Sequence, residues 1–229
     1  MLKQETVYGY PLVTAENVYE VLAQLGIVLW KKIGEPIPIQ KYANQNLGSG
    51  ERNDLKKYSP KNEAATFRHP LTGNRYVAFR STGRNWQSTF TLLPNPNNPN
   101  DELVIIVGEW KQGTEQVVLN PPSGVPTEED LLDKNPFATC AQRIFQNETG
   151  IRLQSVIPLS ETAIGISTRQ STQAFYPFLG IAKNPIEKRS AKLDDRELLK
   201  AVLIPLSEWI KLIKQGRVLE DCSISTTFL

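Results

Sequence analysis

The amino-acid sequence predicts an α/β fold, in which strands of a central sheet are followed by loops and amphipathic helices. A continuous apolar run at residues 103–107 is typical of a strand buried on both faces of a sheet. After a loop, Phe137 to Glu148 reads as a helix that begins behind Asn135-Pro136 and is closed by Gly150. A late strand at 197–206 leads into a helix at 207–215, which Ser207 caps and Gly216 ends. The order strand, loop, helix therefore recurs in the C-terminal half.

The first 62 residues are predicted to form an N-terminal extension of one helix and one loop. Thr14 is the predicted N-cap, and apolar residues recur at helical spacing over about residues 15–33 until Gly34 and Pro36. Residues 40–62 are polar and contain Gly48-Ser49-Gly50, which is typical of a surface loop. We therefore place a boundary near Asn62, with a second domain at 63–229.

Short strands with turn signals follow this boundary. Segments 66–69, 75–80 and 87–92 are separated by glycine-containing turns, which predicts an antiparallel meander. Residues 94–100 alternate proline and asparagine and are predicted to be a loop. The run 103–107 is expected to pair with 116–119 across a turn at Gly113.

Charge is unevenly distributed, although the net charge is only +2. Residues 51–100 hold eight basic against three acidic side chains, whereas residues 101–150 hold three against nine. The basic stretch from Arg52 to Arg84 is interleaved with aromatic residues, a pattern that can track phosphates and stack bases. The same alternation is also what the solvated face of a sheet shows, and both interpretations stay open.

Other classes of protein are disfavoured by composition. His69 is the single histidine, and Cys140 and Cys222 have no CxxC spacing, so a zinc site is not expected. The N-terminus lacks a signal-peptide pattern, and no apolar run approaches the length of a membrane span. We expect a reduced, cytoplasmic protein that does not cross a membrane.

Residues 143–151 carry the most specific motif, because they resemble the end of the Nudix box, G-x5-E-x7-R-E-U-x-E-E-x-G-U, where U is apolar. Five positions match, whereas Ile144 and Asn147 stand where the family has glutamates; the matches are Arg143, Phe145, Glu148, Gly150 and Ile151. Upstream, Gly124 suits the opening glycine and Asp130 lies where the family has glutamate. The spacing from Asp130 to Arg143 is five residues longer than the pattern permits. The box at 124–151 is therefore degenerate.

The flanking segments extend the resemblance over roughly residues 100–229. Residues 107–124 look like the strand, hairpin and proline-glycine turn of the ADP-ribose pyrophosphatase branch of the Nudix family. A strand at 174–182, the Pro205-Leu206 strand end and the turn at 216–221 into a terminal helix also match its order of elements. The resemblance implies an α/β/α sandwich with a mixed central sheet.

In the family, three glutamates on one helical face hold divalent cations against a substrate diphosphate. Here those positions are Ile144, Asn147 and Glu148, so we expect the standard hydrolysis to be impaired, with Mg²⁺ or Mn²⁺ needed only if the protein is active. Glu148 and Arg143 are the candidate catalytic residues. Glu148 and Asp130 are the candidate metal ligands. The candidate ligand-binding residues are Gly124, Arg68, Arg75, Arg80 and Arg84.

Three functions follow from this comparison. The first is a regulatory or interaction module that binds a nucleotide, nucleotide-sugar or ADP-ribose-like molecule. The second is an active hydrolase of nucleoside diphosphate-linked compounds with a displaced metal site, for which loop acids such as Glu187, Asp194 and Asp195 are candidates. The third is a nucleic-acid-binding module that uses the basic stretch. A protein partner or a homodimer is compatible with each.

Overall fold

A computed structural model describes residues 5–29, 45, 48–50, 61–111, 113–168, 171–193 and 198–229. These form two compact units. Unit 1 contains the described parts of Met1–Trp30, Trp86–Ile164 and Phe175–Leu229, and unit 2 those of Lys31–Asn85 and Gly165–Ala174. The predicted boundary near Asn62 thus falls inside unit 2. The helical segment predicted as an extension belongs to unit 1, because Val18 and Leu22 are buried in its core.

The secondary structure alternates as the fold class requires. The strands are β1 (Thr6–Val7), β2 (Tyr10–Pro11), β3 (Lys61–Arg68), β4 (Arg75–Thr82), β5 (Trp86–Leu93), β6 (Leu103–Lys111), β7 (Gln116–Asn120), β8 (Ser123–Gly124), β9 (Leu153–Pro158), β10 (Ile164–Gly165), β11 (Ala174–Ala182) and β12 (Leu199–Pro205). The α-helices are α1 (Val18–Gln24), α2 (Pro136–Thr149), α3 (Leu206–Lys214) and α4 (Asp221–Phe228), with a 3-10 turn at Asp130–Leu132.

A mixed sheet forms the centre of unit 1. Its strands run in the order β11, β5, β6, β12, with β7 also paired to β6, β8 to β5 and β9 to β11. Strand β5 is parallel to β11 and antiparallel to β6, and β12 is antiparallel to β6. Strand β6, which contains the 103–107 run, does pair with β7, but through its second half: residues 107–111 lie opposite 120–116, whereas residues 103–107 pair with β12. No helix among the described residues has both the length and the apolar content to cross a membrane.

Strand β6 is buried on both faces, and its alternating side chains divide the core. On one face, Val104 and Ile106 pack with α1 and with α3, which contributes the Trp209 side chain. Leu103 and Ile105 pack with Phe145 of α2 on the other face. A helix layer therefore covers each side of the sheet, because a strand with apolar residues in both directions must bury both.

Two helices differ from their predicted limits. Helix α1 ends at Gln24, well before residue 33: residues 25–29 are not helical, and 30–33 lie outside the described residues. Gly26 adopts a φ of 93°, which turns the chain out of the helix. The N-cap is Asn17 rather than Thr14. In α3 the N-cap is Pro205, and the predicted capping residue Ser207 instead donates its hydroxyl to Asp101 at 2.6 Å.

The predicted meander is wrong at its third strand. Strands β3 and β4 form a separate antiparallel hairpin in unit 2, with its turn at Gly73, whereas β5 belongs to the main sheet of unit 1. The physical difference is burial. Residues 87–91 are all buried and need neighbours on both sides, whereas the hairpin strands are largely exposed.

Candidate functional site

Helix α2 positions the residues that the sequence singled out. It begins at Pro136, behind Asn135, and ends at Gly150, whose φ of 78° is the left-handed conformation that glycine adopts without a Cβ clash. One side of the helix buries Cys140, Phe145 and Glu148 against the sheet. The predicted start and end of this helix are both confirmed.

Arg143 braces the helix to the loop that precedes it. Its Nε lies 3.1 Å from each Asp130 oxygen, and its Nη2 donates to Oδ2 at 2.5 Å. The Thr127 backbone N–H also donates to Asp130, at 2.7 Å. Burial raises the pKa of Asp130, but these hydrogen bonds and the arginine charge outweigh it and hold that pKa below its ordinary value. Both carboxylate oxygens of Asp130, a predicted metal ligand, are thus hydrogen-bonded to Arg143.

Ile144 packs against Gly124 in the loop that precedes helix α2. A Cβ added to Gly124 would lie 2.8 Å from Ile144 Cδ1, so the glycine lets the isoleucine side chain contact the loop directly. The neighbouring Cys140 Sγ lies 3.7 Å from the Gly124 carbonyl oxygen. Position 144, where the sequence resemblance would place a glutamate, therefore contributes apolar contact between helix and loop, and no oxygen ligand.

Glu148 lies in a buried, charged environment beside the sheet. Its residue is 9% exposed, and its charge is among those that act on the Lys111 ammonium. Lys111 Nζ lies 2.7 Å from Glu109, which also accepts a hydrogen bond from Asn120 at 3.3 Å. Burial lowers the pKa of Lys111, but the charges of Glu109, Glu220 and Glu148 outweigh it and raise that pKa. The sequence did not indicate this lysine, which reaches the site because β6 passes beneath α2.

These residues do not fit a divalent cation. Magnesium requires several oxygen ligands, more than one of them usually anionic. The helical face offers Glu148 with an isoleucine and an asparagine, and a lysine charge acts on the remaining carboxylate. In the part of the chain that the structure describes, no three acidic, histidine or cysteine side chains converge to hold a metal. Glu128 and Glu129 are exposed, and Asp194 and Asp195 lie outside the described residues.

The four predicted ligand-binding arginines belong to unit 2, whereas Glu148 belongs to unit 1. Arg68 and Arg75 face each other across the β3–β4 ladder. Arg80 forms an exposed ion pair with Glu63 at 3.3 Å, and Arg84 follows the end of β4. Gly124, the fifth predicted ligand-binding residue, is the one that the structure brings to helix α2, through its contact with Ile144.

A second group of cations lies beside α2 and was missed from the sequence. Arg152, Lys183 and Arg189 line a cavity of about 120 Å³. Arg152 also lines a larger cavity, of about 380 Å³, along the exposed side of α2, where Arg143 and Asn147 are found. These residues are far apart in the sequence, and the pairing of β9 with β11 brings Arg152 and Lys183 together. No local motif could have indicated them.

Comparison with known proteins supports the fold. The chain matches no family model and no curated protein. It is similar to a solved structure described as an ADP compounds hydrolase, with 18% sequence identity and a TM-score of 0.52, over 74% of this chain and 91% of that one. At this identity the likeness concerns the fold alone. The chain has the predicted α/β fold, an α/β/α sandwich with a mixed central sheet that it shares with this structure.

Proposed function

We propose that this protein binds a nucleotide-type small molecule, such as a nucleoside diphosphate-linked compound, without a divalent metal ion. Hydrolysis by the standard metal-dependent route is proposed to be absent or very slow. The ligand class is suggested by the fold, which the chain shares with a protein described as an ADP compounds hydrolase. The loss of metal dependence is argued from the residues of helix α2.

The observation that carries this proposal is the set of contacts made by residues 144, 147 and 148 of helix α2. Ile144 packs on Gly124, Asn147 lines a cavity with Arg143 and Arg152, and Glu148 is buried where the Lys111 charge acts on it. Cations of the protein thus lie where anionic ligands for a metal would be needed. Losing one group that stabilises transition-state charge commonly costs on the order of 100-fold in rate. Two such groups are replaced here.

The test offers ADP-ribose, NADH, diadenosine polyphosphates and dNTPs to the protein with Mg²⁺, with Mn²⁺ and with EDTA. Product formation and thermal stabilisation are measured in parallel. We expect no turnover, together with stabilisation by at least one nucleotide that EDTA does not remove. Stabilisation that requires the metal would contradict the proposal.

An active hydrolase with a displaced Mg²⁺ or Mn²⁺ site makes the opposite prediction in the same assay. Turnover would be seen with the metal and would vanish in Glu148→Gln, while Glu161→Gln, a change at an exposed residue after β9, would leave it intact. The Glu161 variant controls for loss of a carboxylate elsewhere in unit 1.

A second candidate function, binding of single-stranded nucleic acid, is favoured by one observation in unit 2. Arg68 and Arg75 are directly opposite each other, and like charges in such a pair repel unless an anion lies between them. Phe79, two positions beyond Val77 on the same face as Arg75, is 76% exposed. An exposed ring on the same strand face as these cations can stack a base while the cations contact phosphates further along a single strand.

Salt dependence separates this function from the first. Binding of a fluorescent oligonucleotide should weaken steeply with salt and weaken further in Arg68→Gln/Arg75→Gln. The matched control is Arg80→Gln, because that arginine is already paired with Glu63. Affinity that is insensitive to salt and equal in all variants would exclude this function.

A further inference from the structure

We infer that the two adjoining cavities of unit 1 that share Arg152 form a binding site for the phosphate group of a monoester or diphosphate. This inference deepens the proposed function, on which it rests for the identity of the whole ligand. The cations of the protein would hold the phosphate group, a role that a metal ion would otherwise have.

The smaller cavity is strongly cationic. Of the five described residues that line it, Arg152, Lys183 and Arg189 are basic, Glu187 is acidic and the fifth is Pro185. Among the residues that the structure describes, none of the three cations forms an ion pair with a carboxylate. Three cations that converge on about 120 Å³ repel one another, and a bound dianion would relieve that repulsion. Arginine forks suit the geometry of phosphate oxygens.

The larger cavity continues this surface along helix α2. Among the described residues, it is lined by Arg143, Arg152 and neutral side chains and by no carboxylate, the remaining members being Thr139, Gln142, Gln146, Asn147 and Leu153. Asn147 stands where the family has a glutamate. A glutamate here would place a negative charge within the cavity, whereas the asparagine amide can donate a hydrogen bond to an anion. The substitution that removes a metal ligand therefore also makes the cavity suitable for an anion.

The backbone that carries these cations is held in place. The Lys183 N–H donates to the Arg152 carbonyl at 3.0 Å, and the Arg189 N–H donates to the Gly150 carbonyl at 3.0 Å. The Lys192 N–H donates to the Asn147 carbonyl at 2.8 Å. The segment after β11 is thus attached to the end of α2 at several points. Because the backbone from which the cations extend is already fixed, binding removes entropy only from their side chains.

A simpler role for these cations is to complement the negative end of the α2 dipole. That role would make Arg152 and Arg189 contribute to stability whether or not phosphate is present. It would not depend on the residue at position 147, and it would not produce selective binding of pyrophosphate. The two explanations therefore differ in measurable ways.

The test titrates the EDTA-treated, full-length protein with inorganic phosphate and with pyrophosphate by calorimetry, at constant ionic strength. We expect pyrophosphate to bind, and Arg152→Gln to weaken that binding about tenfold or more, as loss of a charge-assisted contact does. Asn147→Glu should weaken it by a similar factor. The matched control is Lys214→Gln, which removes an exposed lysine of α3 and should leave the affinity unchanged.

Pyrophosphate binding that is absent in the wild type, or that Arg152→Gln and Asn147→Glu leave unaltered, would overturn the inference. If Arg152→Gln does not fold, Lys183→Gln takes its place, because that exposed side chain also lines the smaller cavity. The two proposals fail separately. Pyrophosphate binding without nucleotide binding contradicts the proposed function alone, whereas nucleotide binding that survives Arg152→Gln contradicts this site alone.

Discussion

Replacing Arg143 with methionine should destabilise unit 1 severely, because it leaves the Asp130 carboxylate buried without its counter-charge. The Asp130 side chain is 4% exposed and that of Arg143 is 31% exposed. Removing one partner of a buried ion pair costs about 3–5 kcal/mol. The Thr127 N–H still donates to Asp130, at 2.7 Å, and the arginine is partly solvated, so we expect the lower end of that range. This is a large part of a typical domain stability of about 5–15 kcal/mol.

The measurement is the free energy of unfolding from urea titrations of Arg143→Met, Asp130→Asn and the double variant. Because the methionine leaves a charge unpaired, the double variant should be more stable than Arg143→Met alone, with a coupling energy of about 1 kcal/mol or more. Lys211→Met serves as the control, since it breaks an exposed pair with Glu16 and should have little effect. A loss below about 1 kcal/mol in Arg143→Met would refute the reasoning.

The same ion pair should make stability depend on acid. Asp130 has a folded-state pKa below its ordinary value, so its contribution is present above the ordinary aspartate pKa of about 3.9 and is lost as the pH falls through the folded-state pKa. Wild-type stability should therefore fall more steeply below about pH 4 than that of Asp130→Asn. If the free energy of unfolding falls with equal slope in the two proteins below about pH 4, this account is wrong.

Three further predictions concern the surroundings of the site. Lys111→Met should destabilise the protein more at neutral than at acidic pH, because Glu109 and its neighbours lose their counter-charge. Lys111→Arg should retain most of the stability. Urea titrations at both pH values measure the free energy of unfolding of each variant. Glu220→Gln should stabilise the protein at neutral pH, with the gain vanishing in acid, because burial raises the pKa of Glu220 and folding then penalises its charge. Gly150→Ala should lower the melting temperature far more than Gly216→Ala. Both glycines have a positive φ, which costs alanine about 1–2 kcal/mol. Only at Gly150 would the new Cβ also lie 2.0 Å from a backbone oxygen, that of Arg189.

Periodicity and end signals predicted the elements of the sandwich well, because those signals are local. The limits of α2 follow from Asn135-Pro136 and Gly150, and strand β11 matches its predicted residues. The same local signals failed for α1, whose apolar residues continue beyond its end at Gln24. They also could not assign β5 to a sheet, since pairing depends on segments that are distant in the chain.

The sequence by itself determined that positions 144 and 147 of helix α2 carry isoleucine and asparagine and no carboxylate, because these are read directly from the residue order. It also determined the order of strands and helices from which the fold class was predicted. Only the tertiary structure decided which cations lie beside helix α2: Lys111 belongs to β6, Arg152 immediately precedes β9, and Lys183 and Arg189 lie in the segment after β11. The reason is physical, since electrostatic interactions depend on distance in space, and residues far apart in sequence become neighbours only when the sheet forms.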